Sequence, residues 1–274
     1  MKKTIITCTA AVLLFLGCRS FTPAGTAVKG TLISDIIEGA DISMRDAVIT
    51  EDLVLSSAVG DGQHVIIGAS LHFVNCVFEG DIDFSPAKMG QLMFAKQVVF
   101  ENCVFKGEVK FNDALFFGRF QMGKCEAHHS IDLQRNTFNY RFRVDETVVG
   151  QDLILQYSRF ANDFSVFGTE CGRHMSSQGI SVHGKSQFSS SKTGGSLIIS
   201  GCHFHENFTA NYLIVGDKVL AGSSQFQGRV DFLDLSCQTL IKTSQVTIMG
   251  TLRLSFKDSS PEVEKDGMFV LQKG

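Results

Sequence analysis

The segment FENCVFKGEVKFNDALFFGRFQM, residues 100–122, decides the fold because its aromatic residues recur in a rhythm that is neither helical nor strictly alternating. It holds six phenylalanines in twenty-three positions, mostly five or six residues apart. An amphipathic helix would place apolar residues three and four apart, and a half-buried strand would alternate apolar and polar residues throughout. The spacing therefore indicates a different regular structure.

The rhythm belongs to an eleven-residue repeat. Counted from Phe94, fifteen consecutive units begin at every eleventh residue as far as Ile248, without an insertion. Within a unit the fourth and sixth residues after the start are mostly apolar, and the ninth is usually small. Four further units begin at residues 38, 49, 67 and 78. Two breaks of phase, of seven residues near VGDGQHV and five near SPAKMG, predict loops that leave a regular stack.

The repeat predicts a four-sided coil. Residues two apart on a strand share a face, so each unit supplies two short inward-facing strands and two units close a coil of about 22 residues. The pattern of FKGEVKFNDA, residues 105–114, is similar to that of Phe-rich members of the pentapeptide-repeat family. The resemblance covers residues 38–256 and implies an all-β, right-handed quadrilateral β-solenoid. A three-sided β-helix of the pectate-lyase type is the alternative, although its coils vary more in length.

The N-terminal sequence MKKTIITCTAAVLLFLGC has the order of an export signal, with two lysines, an apolar run and then Gly17 before Cys18. Its ending resembles a bacterial lipobox, which implies cleavage before Cys18 and attachment of a lipid to the Cys18 sulfur. We expect a lipoprotein signal peptide over residues 1–17, and a lipid-anchored tether and N-terminal cap over residues 18–37. Arg19 favours the outer membrane of the cell envelope, because an aspartate there would resemble an inner-membrane retention signal. Plain secretion is the alternative.

The ends of a solenoid need protection because they expose unpaired strand edges. Residues 257–274, KDSSPEVEKDGMFVLQKG, break the repeat, and we expect a C-terminal cap or dimerisation tail there. The formal net charge of −3 becomes −5 once Lys2 and Lys3 are removed with the signal. This acidic balance offers no attraction to nucleic acid, so no such partner is expected.

Six cysteines follow Cys18, and all of them fall at inward positions of the repeat. One interpretation is that each is a small apolar core residue. The other concerns Cys103 and Cys125, which lie two units apart and would stack in neighbouring coils with Cα atoms about 5 Å apart. A disulfide tolerates that separation, and an exported protein permits the bond. No cysteine spacing is typical of a zinc site.

Three histidines form a ligand-like cluster. His183 and His205 occupy the same outward position one coil apart, and His203 lies beside His205. Three imidazoles on one small surface are a candidate site for a transition metal. A solvated face is the simpler interpretation, and no cofactor is otherwise expected.

Two outward surfaces are candidates for binding a partner. A basic stripe predicts attraction to an acidic glycan or an anionic lipid; its members are Arg119, Arg141, Arg143, Lys185 and Arg229. Interleaved Asp163 and Asp231 favour instead an inert surface with many salt bridges. An apolar patch on the opposite side is expected to be covered by a partner or by the MFVL segment of the tail; it comprises Ile154, Ile198 and Leu220.

Signatures of catalysis are weak. Asp132 and Asp152 lie on one flank, but no Ser-His-Asp or phosphate-binding motif accompanies them. The sequence therefore predicts a non-catalytic structural or binding scaffold, an envelope lipoprotein whose partner is a protein, a glycan or a second copy of the chain. A polysaccharide-active β-helix enzyme, a lyase or hydrolase at the cell surface, is the alternative.

Overall fold

The chain is a β-solenoid, and its computed structural model describes residues 27–28, 30, 32–56, 64–86, 90–257 and 261–271. These residues form 39 short strands and one helix of six residues. The strands stack in parallel on four sides of a coil, which we name faces I to IV in the order in which the chain visits them from residue 42 onward. This all-β, four-sided architecture is the one that the sequence predicts.

Faces I and II share one strand, Val230–Cys237, which runs around the corner between them. Face I consists of Ile42–Arg45, Leu71–Val74, Val98–Glu101, Phe120–Gly123, Phe142–Asp145, Phe164–Ser165, Ser186–Gln187, Phe208–Thr209, the first half of the shared strand and Leu252–Phe256. Face II consists of Ala27–Val28, Val48–Ile49, Val77–Phe78, Val104–Phe105, Glu126–Ala127, Val148–Val149, Glu170–Cys171, Lys192–Thr193, Ile214–Val215 and the second half of the shared strand.

Faces III and IV have ten strands each. Face III consists of Leu53–Val54, Ile82–Asp83, Val109–Lys110, Ile131–Asp132, Leu153–Ile154, Met175–Ser176, Leu197–Ile198, Lys218–Leu220, Leu240–Lys242 and Glu262–Glu264. Face IV consists of His64–Ile67, Gln91–Phe94, Ala114–Phe116, Thr137–Phe138, Arg159–Phe160, Ser181–Val182, His203–Phe204, Gln225–Phe226, Thr247–Ile248 and Phe269–Val270.

The pairing register locates the two loops. Val98 pairs with Phe120, two repeat units further along the chain, and this interval is repeated along most of the rod. Ile42 pairs with Leu71 and Leu71 pairs with Val98, and these intervals exceed two units by seven and by five residues. The additional residues both fall between face III and face IV. The two predicted breaks of phase are thus confirmed in length and position.

Columns of phenylalanine fill the interior. On face IV, Phe94, Phe116, Phe138 and Phe160 stack with successive ring centroids 4.8, 4.8 and 5.1 Å apart. Such pairs contribute about 0.5–1.5 kcal/mol each beyond the burial of their area. In the segment 100–122, the phenylalanines that follow the repeat are buried, whereas Phe117 is 53% exposed. The segment therefore describes the core of the rod.

The N-terminal end of the solenoid is covered by the helix Leu32–Ile37, which buries Leu32 and Ile36 in the core. The strand Ala27–Val28 precedes the helix and adds to the edge of face II. Both elements lie within the predicted cap of residues 18–37. In the described part of the chain, no helix has the length and apolar character needed to cross a bilayer.

The C-terminal end continues the solenoid past residue 256, which corrects the predicted boundary there. The strands Glu262–Glu264 and Phe269–Val270 pair in register with faces III and IV. They do so because Val263 and Met268 reach core positions of one more unit, although the polar residues around them hide the repeat. The described part of the tail is therefore a last partial coil and not a separate cap.

Candidate functional site

The basic stripe runs along the corner where face IV turns into face I. Its column of positions, one per coil, is occupied in turn by Arg119, Arg141, Asp163, Lys185, Asn207 and Arg229. The carbonyl of each of these residues accepts from the backbone N–H that begins a face I strand in the preceding coil, as Arg141 O does from Phe120 N. Neighbouring members therefore lie about 4.8 Å apart along the rod.

At the C-terminal end of the stripe, Arg229 is paired with a carboxylate. The Asp231 carboxylate lies 2.8 Å from Arg229 Nε, and it also accepts two hydrogen bonds from Arg253. The hydrogen bonds from Arg253 are the main cause that lowers the pKa of Asp231 below its ordinary value. This group matches the inert, salt-bridged interpretation of the stripe.

The N-terminal end of the stripe keeps its positive charge. Arg119 Nε donates to the neutral Gln97 Oε1 at 3.0 Å. Arg141 Nε lies 3.6 Å from Asp163 Oδ2, beyond hydrogen-bond length. Arg143 is exposed on face I, and within the described part of the chain neither it nor Arg119 forms an ion pair. Positive charge is thus concentrated on two neighbouring coils.

Two exposed aromatic side chains flank these arginines. Phe117 is 53% exposed and Tyr140 is 54% exposed. Phe117 precedes Arg119 by two residues at one corner, and Tyr140 directly precedes Arg141 at the corner of the next coil. We name the surface of Phe117, Arg119, Tyr140, Arg141 and Arg143 the arginine corner. The sequence analysis identified the arginines as binding candidates but missed the two aromatic residues. Their large aromatic side chains at outward positions of the repeat could have indicated them.

The three predicted histidines do come together, but as a stack. The His183 and His205 rings lie 4.4 Å apart between centroids and 9° from parallel, and the His203 and His205 rings lie 4.3 Å apart and 15° from parallel. Parallel rings cannot direct their in-plane nitrogen lone pairs at one ion. Among the described residues, no group of three or more His, Cys, Asp or Glu side chains has an arrangement that would hold a metal. Burial, followed by the two neighbouring imidazoles, lowers the pKa of His205.

The cysteines Cys76, Cys103 and Cys125 occupy one inward column on successive coils. Cys103 Sγ donates to Phe73 O and Cys125 Sγ donates to Phe100 O, and each sulfur–oxygen distance is 3.5 Å. Both are free thiols, so the predicted disulfide between them is not formed. The hydrogen bond with the Cys125 thiol is the main cause that raises the pKa of Cys103, which disfavours the reactive thiolate.

The apolar patch is a column on face III. Ile198 and Leu220 are paired across adjacent coils, and Ile154 lies two coils before Ile198 with Ser176 between them. The three apolar side chains are half-buried. The MFVL segment continues face IV instead of folding back, so the expectation that it covers this patch is wrong.

The C-terminal end of the rod is open, a feature that the sequence did not reveal. An apolar cavity reaches into the core there, and its lining includes Phe226, Val230, Ile241, Ile248, Val263 and Met268. Exposed apolar side chains occur in the same last two coils, namely Met249, Leu254, Phe269, Val270 and Leu271. The sequence does contain a sign of this last coil. Val263 lies eleven residues after Leu252, and Val270 lies twenty-two residues after Ile248, so both keep the period of the repeat.

The two carboxylates considered for catalysis are engaged by the chain itself. Asp132 Oδ2 accepts hydrogen bonds from Asn112 Nδ2 at 3.1 Å and from Gln134 Nε2 at 3.0 Å. Asp152 Oδ1 accepts from the backbone N–H of His174 at 2.9 Å. The contacts with Asn112 and His174 join neighbouring coils, which is a structural role.

Comparisons of the chain with protein-family models, with curated proteins and with solved structures found no match. The predicted lipidation site Cys18 and the signal segment lie outside the described residues. Function must therefore be inferred from the surfaces described above.

Proposed function

We propose that the protein is a non-catalytic scaffold of the bacterial cell envelope, and that two copies join through their C-terminal ends. A lipid on Cys18 anchors it, and Arg19 favours the outer membrane as its location. The lipobox-like sequence supports the anchor. The regular solenoid supports the scaffold role, because such folds present long surfaces to partners. The observation that carries the proposal is the open C-terminal end.

The open end exposes an unpaired strand edge and apolar side chains, which a stable solenoid must cover. Leu252–Phe256 is the last face I strand of the described chain, and no later strand pairs with it there. Phe269 and Leu271 are 61% and 55% exposed, and Phe269 lies on the last face IV strand of the described chain. Unpaired strand edges next to apolar side chains favour pairing with another chain.

A second copy is the occupant that the two ends of the rod favour. The helix Leu32–Ile37 covers the opposite end, so head-to-tail growth into a filament is blocked. A two-fold contact between C-terminal ends closes after two copies. The exposed rim carries both signs of charge, which suits a self-complementary surface; it includes Lys257, Glu262, Lys265 and Asp266.

Sedimentation of the full chain in density-matched detergent tests this contact. We expect a dimer at micromolar concentration and a monomer for Phe269→Asp, because a buried charge at the contact would lack a partner. Ile66→Asp is the matched control, since Ile66 lies on the same face near the covered end and is 63% exposed. A monomeric wild-type chain, or equal dissociation of both variants, would contradict the proposal.

The enzymatic alternative is tested separately. The purified chain is incubated with polysaccharides, and new reducing ends and unsaturated sugar ends are measured. We expect neither product. Formation of either would replace the scaffold with a hydrolase or a lyase.

A further inference from the structure

We propose that the arginine corner binds an acidic polysaccharide through its sugar carboxylates. The inference rests on the proposed function in one respect, namely that the chain lies outside the cytoplasm and holds the sugar without cleaving it. It does not depend on the contact between C-terminal ends. The corner and that end lie on different parts of the rod, so each is tested by itself.

The first support is the placement of the cations. Arg119 turns toward Gln97 on the preceding coil, whereas Arg141 lies nearest to Asp163 on the following coil. The two guanidinium groups thus point away from each other, as like charges about 4.8 Å apart at the backbone should. A carboxylate placed between them would be attracted by both.

The second support is the excess of arginines over the acidic side chains near them. Asp163 is the one carboxylate of the described chain within 4 Å of an arginine of this corner. The nearby Asp145 keeps its charge, but its Oδ1 already accepts from Ser165 Oγ at 2.6 Å and from Phe167 N at 3.0 Å. Three arginines therefore outnumber the two carboxylates near them, Asp163 and Asp145, on a chain whose formal net charge is −3. This local excess of positive charge complements an anionic ligand.

The third support is the pair of exposed rings. Phe117 and Tyr140 lie on adjacent coils beside the arginines, with Gly118 next to Phe117 and level with Tyr140. An aromatic face is negative and attracts the C–H groups on the apolar face of a sugar ring. Arginine binds carboxylates with two parallel hydrogen bonds. Rings and arginines on one straight wall thus fit an extended polymer of acidic sugars.

A lipid headgroup explains these features less well. Membrane binding relies on apolar side chains that enter the bilayer, together with basic residues at its surface. Phe117 and Tyr140 are the large exposed aromatic side chains here. The outward residues Gln97, Gln121 and Asn139 of the same coils are polar amides, which do not enter a bilayer. A single-stranded polynucleotide would also stack on aromatics, so it serves as a competitor in the test.

The test uses the full chain in detergent and a fluorescent oligogalacturonate of about two sugars, which is short enough to stay on the two coils of the arginine corner. We expect saturable binding that weakens as salt is added, and none to the same oligomer with its carboxylates methyl-esterified. Arg143→Gln and Arg141→Gln should each weaken binding about tenfold, since each removes charge-assisted hydrogen bonds. Phe117→Ser should also weaken it.

Two matched controls separate the corner from the rest of the stripe. Lys185→Gln removes a cation from the same column two coils beyond Arg141, and Tyr212→Ser removes a ring that is 61% exposed at another corner. Both should bind like the wild type. Because all of these side chains are exposed, the thermal midpoint should stay unchanged in every variant, which excludes loss of fold as the cause.

Several results would overturn the proposal. They are unchanged binding in the Phe117→Ser, Arg143→Gln double variant, equal weakening by Lys185→Gln, and equal affinity for the esterified oligomer. Equal or tighter binding to phosphatidylglycerol vesicles or to oligothymidylate would assign the corner to a lipid or to nucleic acid. Sedimentation of the same samples keeps the proposals apart, because a monomer that binds the sugar contradicts only the end-to-end contact.

Discussion

Arg253 binds Asp231 through two parallel hydrogen bonds, Nε to Oδ1 and Nη2 to Oδ2, each 2.7 Å long. The Asp231 side chain is 2% exposed, and Arg229 lies against the same carboxylate. Because Arg253 belongs to the last face I strand, Leu252–Phe256, this pair ties the final coil to the one before it. The open end of the rod is thus held in place by charge.

Acid should weaken this tie. Arg253 is the main cause that holds the pKa of Asp231 below its usual value, so the stabilisation is complete above the unfolded-state pKa, near 4, and is lost as the pH falls toward the folded-state pKa. We expect the free energy of unfolding, measured in urea between pH 7 and pH 2, to fall more steeply for the wild type than for Asp231→Asn. At pH 7 the variant should be about 2 kcal/mol less stable, because the charge-assisted hydrogen bonds from the arginines are lost. Parallel pH curves would contradict this role.

Removal of one buried hydroxyl should stabilise the rod. Ser186 interrupts the face I column between Phe164 and Phe208, and its Oγ is buried without a hydrogen-bond partner in the described structure. Ser186→Ala should raise the free energy of unfolding by about 1 kcal/mol. The control is Ser191→Ala, which should lower it by about 1 kcal/mol because Ser191 Oγ donates to Val166 O at 2.8 Å. Equal losses in both variants would show that the Ser186 hydroxyl has a partner.

One glycine is required by the close approach of two coils. A Cβ atom on Gly194 would overlap with Gly172 O, at a separation shorter than any such contact can have. We expect Gly194→Ala to destabilise the chain by about 2 kcal/mol or more. Gly123→Ala is the control, because the nearest atom to its new Cβ would be 3.7 Å away on the Gln121 side chain. Equal thermal midpoints of unfolding for the two variants would contradict the close packing at Gly194.

The lipid anchor is tested on Cys18. Cells that express the chain and are fed labelled palmitate should incorporate the label into the mature protein, and Cys18→Ser should abolish it. Cys8→Ser, within the same signal, is the control and should leave the labelling unchanged. Secretion of an unlabelled wild-type chain into the medium would favour plain export instead.

The sequence predicts the core far better than the surface. The step from Val98 to Phe120 follows from the eleven-residue period, because every inward side chain must occupy one position per coil. Outward positions carry no such constraint. The sequence places Arg119 and Arg141 in one column, yet it does not show that one turns to Gln97 and the other toward Asp163.

Other differences have local physical causes. Three neighbouring histidines predict a metal site from residue type alone. The structure stacks the rings of His183, His203 and His205 nearly in parallel, so their nitrogen lone pairs do not converge on one ion. The tail does not match the repeat in sequence, because the unit that follows Ile248 has only Val263 and Met268 packed against the core. A degenerate unit can still extend the stack, since backbone hydrogen bonds to the coil before it do not depend on side-chain identity.

The contact between C-terminal ends is tested most directly by energy transfer between copies. Leu271→Cys places a dye at the open end, and Glu38→Cys places one at the covered end, which is about 45 Å away if ten coils are about 4.8 Å apart. After mixing donor- and acceptor-labelled chains, we expect efficient transfer for dyes at residue 271 and none for dyes at residue 38. Equal transfer at both positions, or none at residue 271, would contradict an end-to-end scaffold.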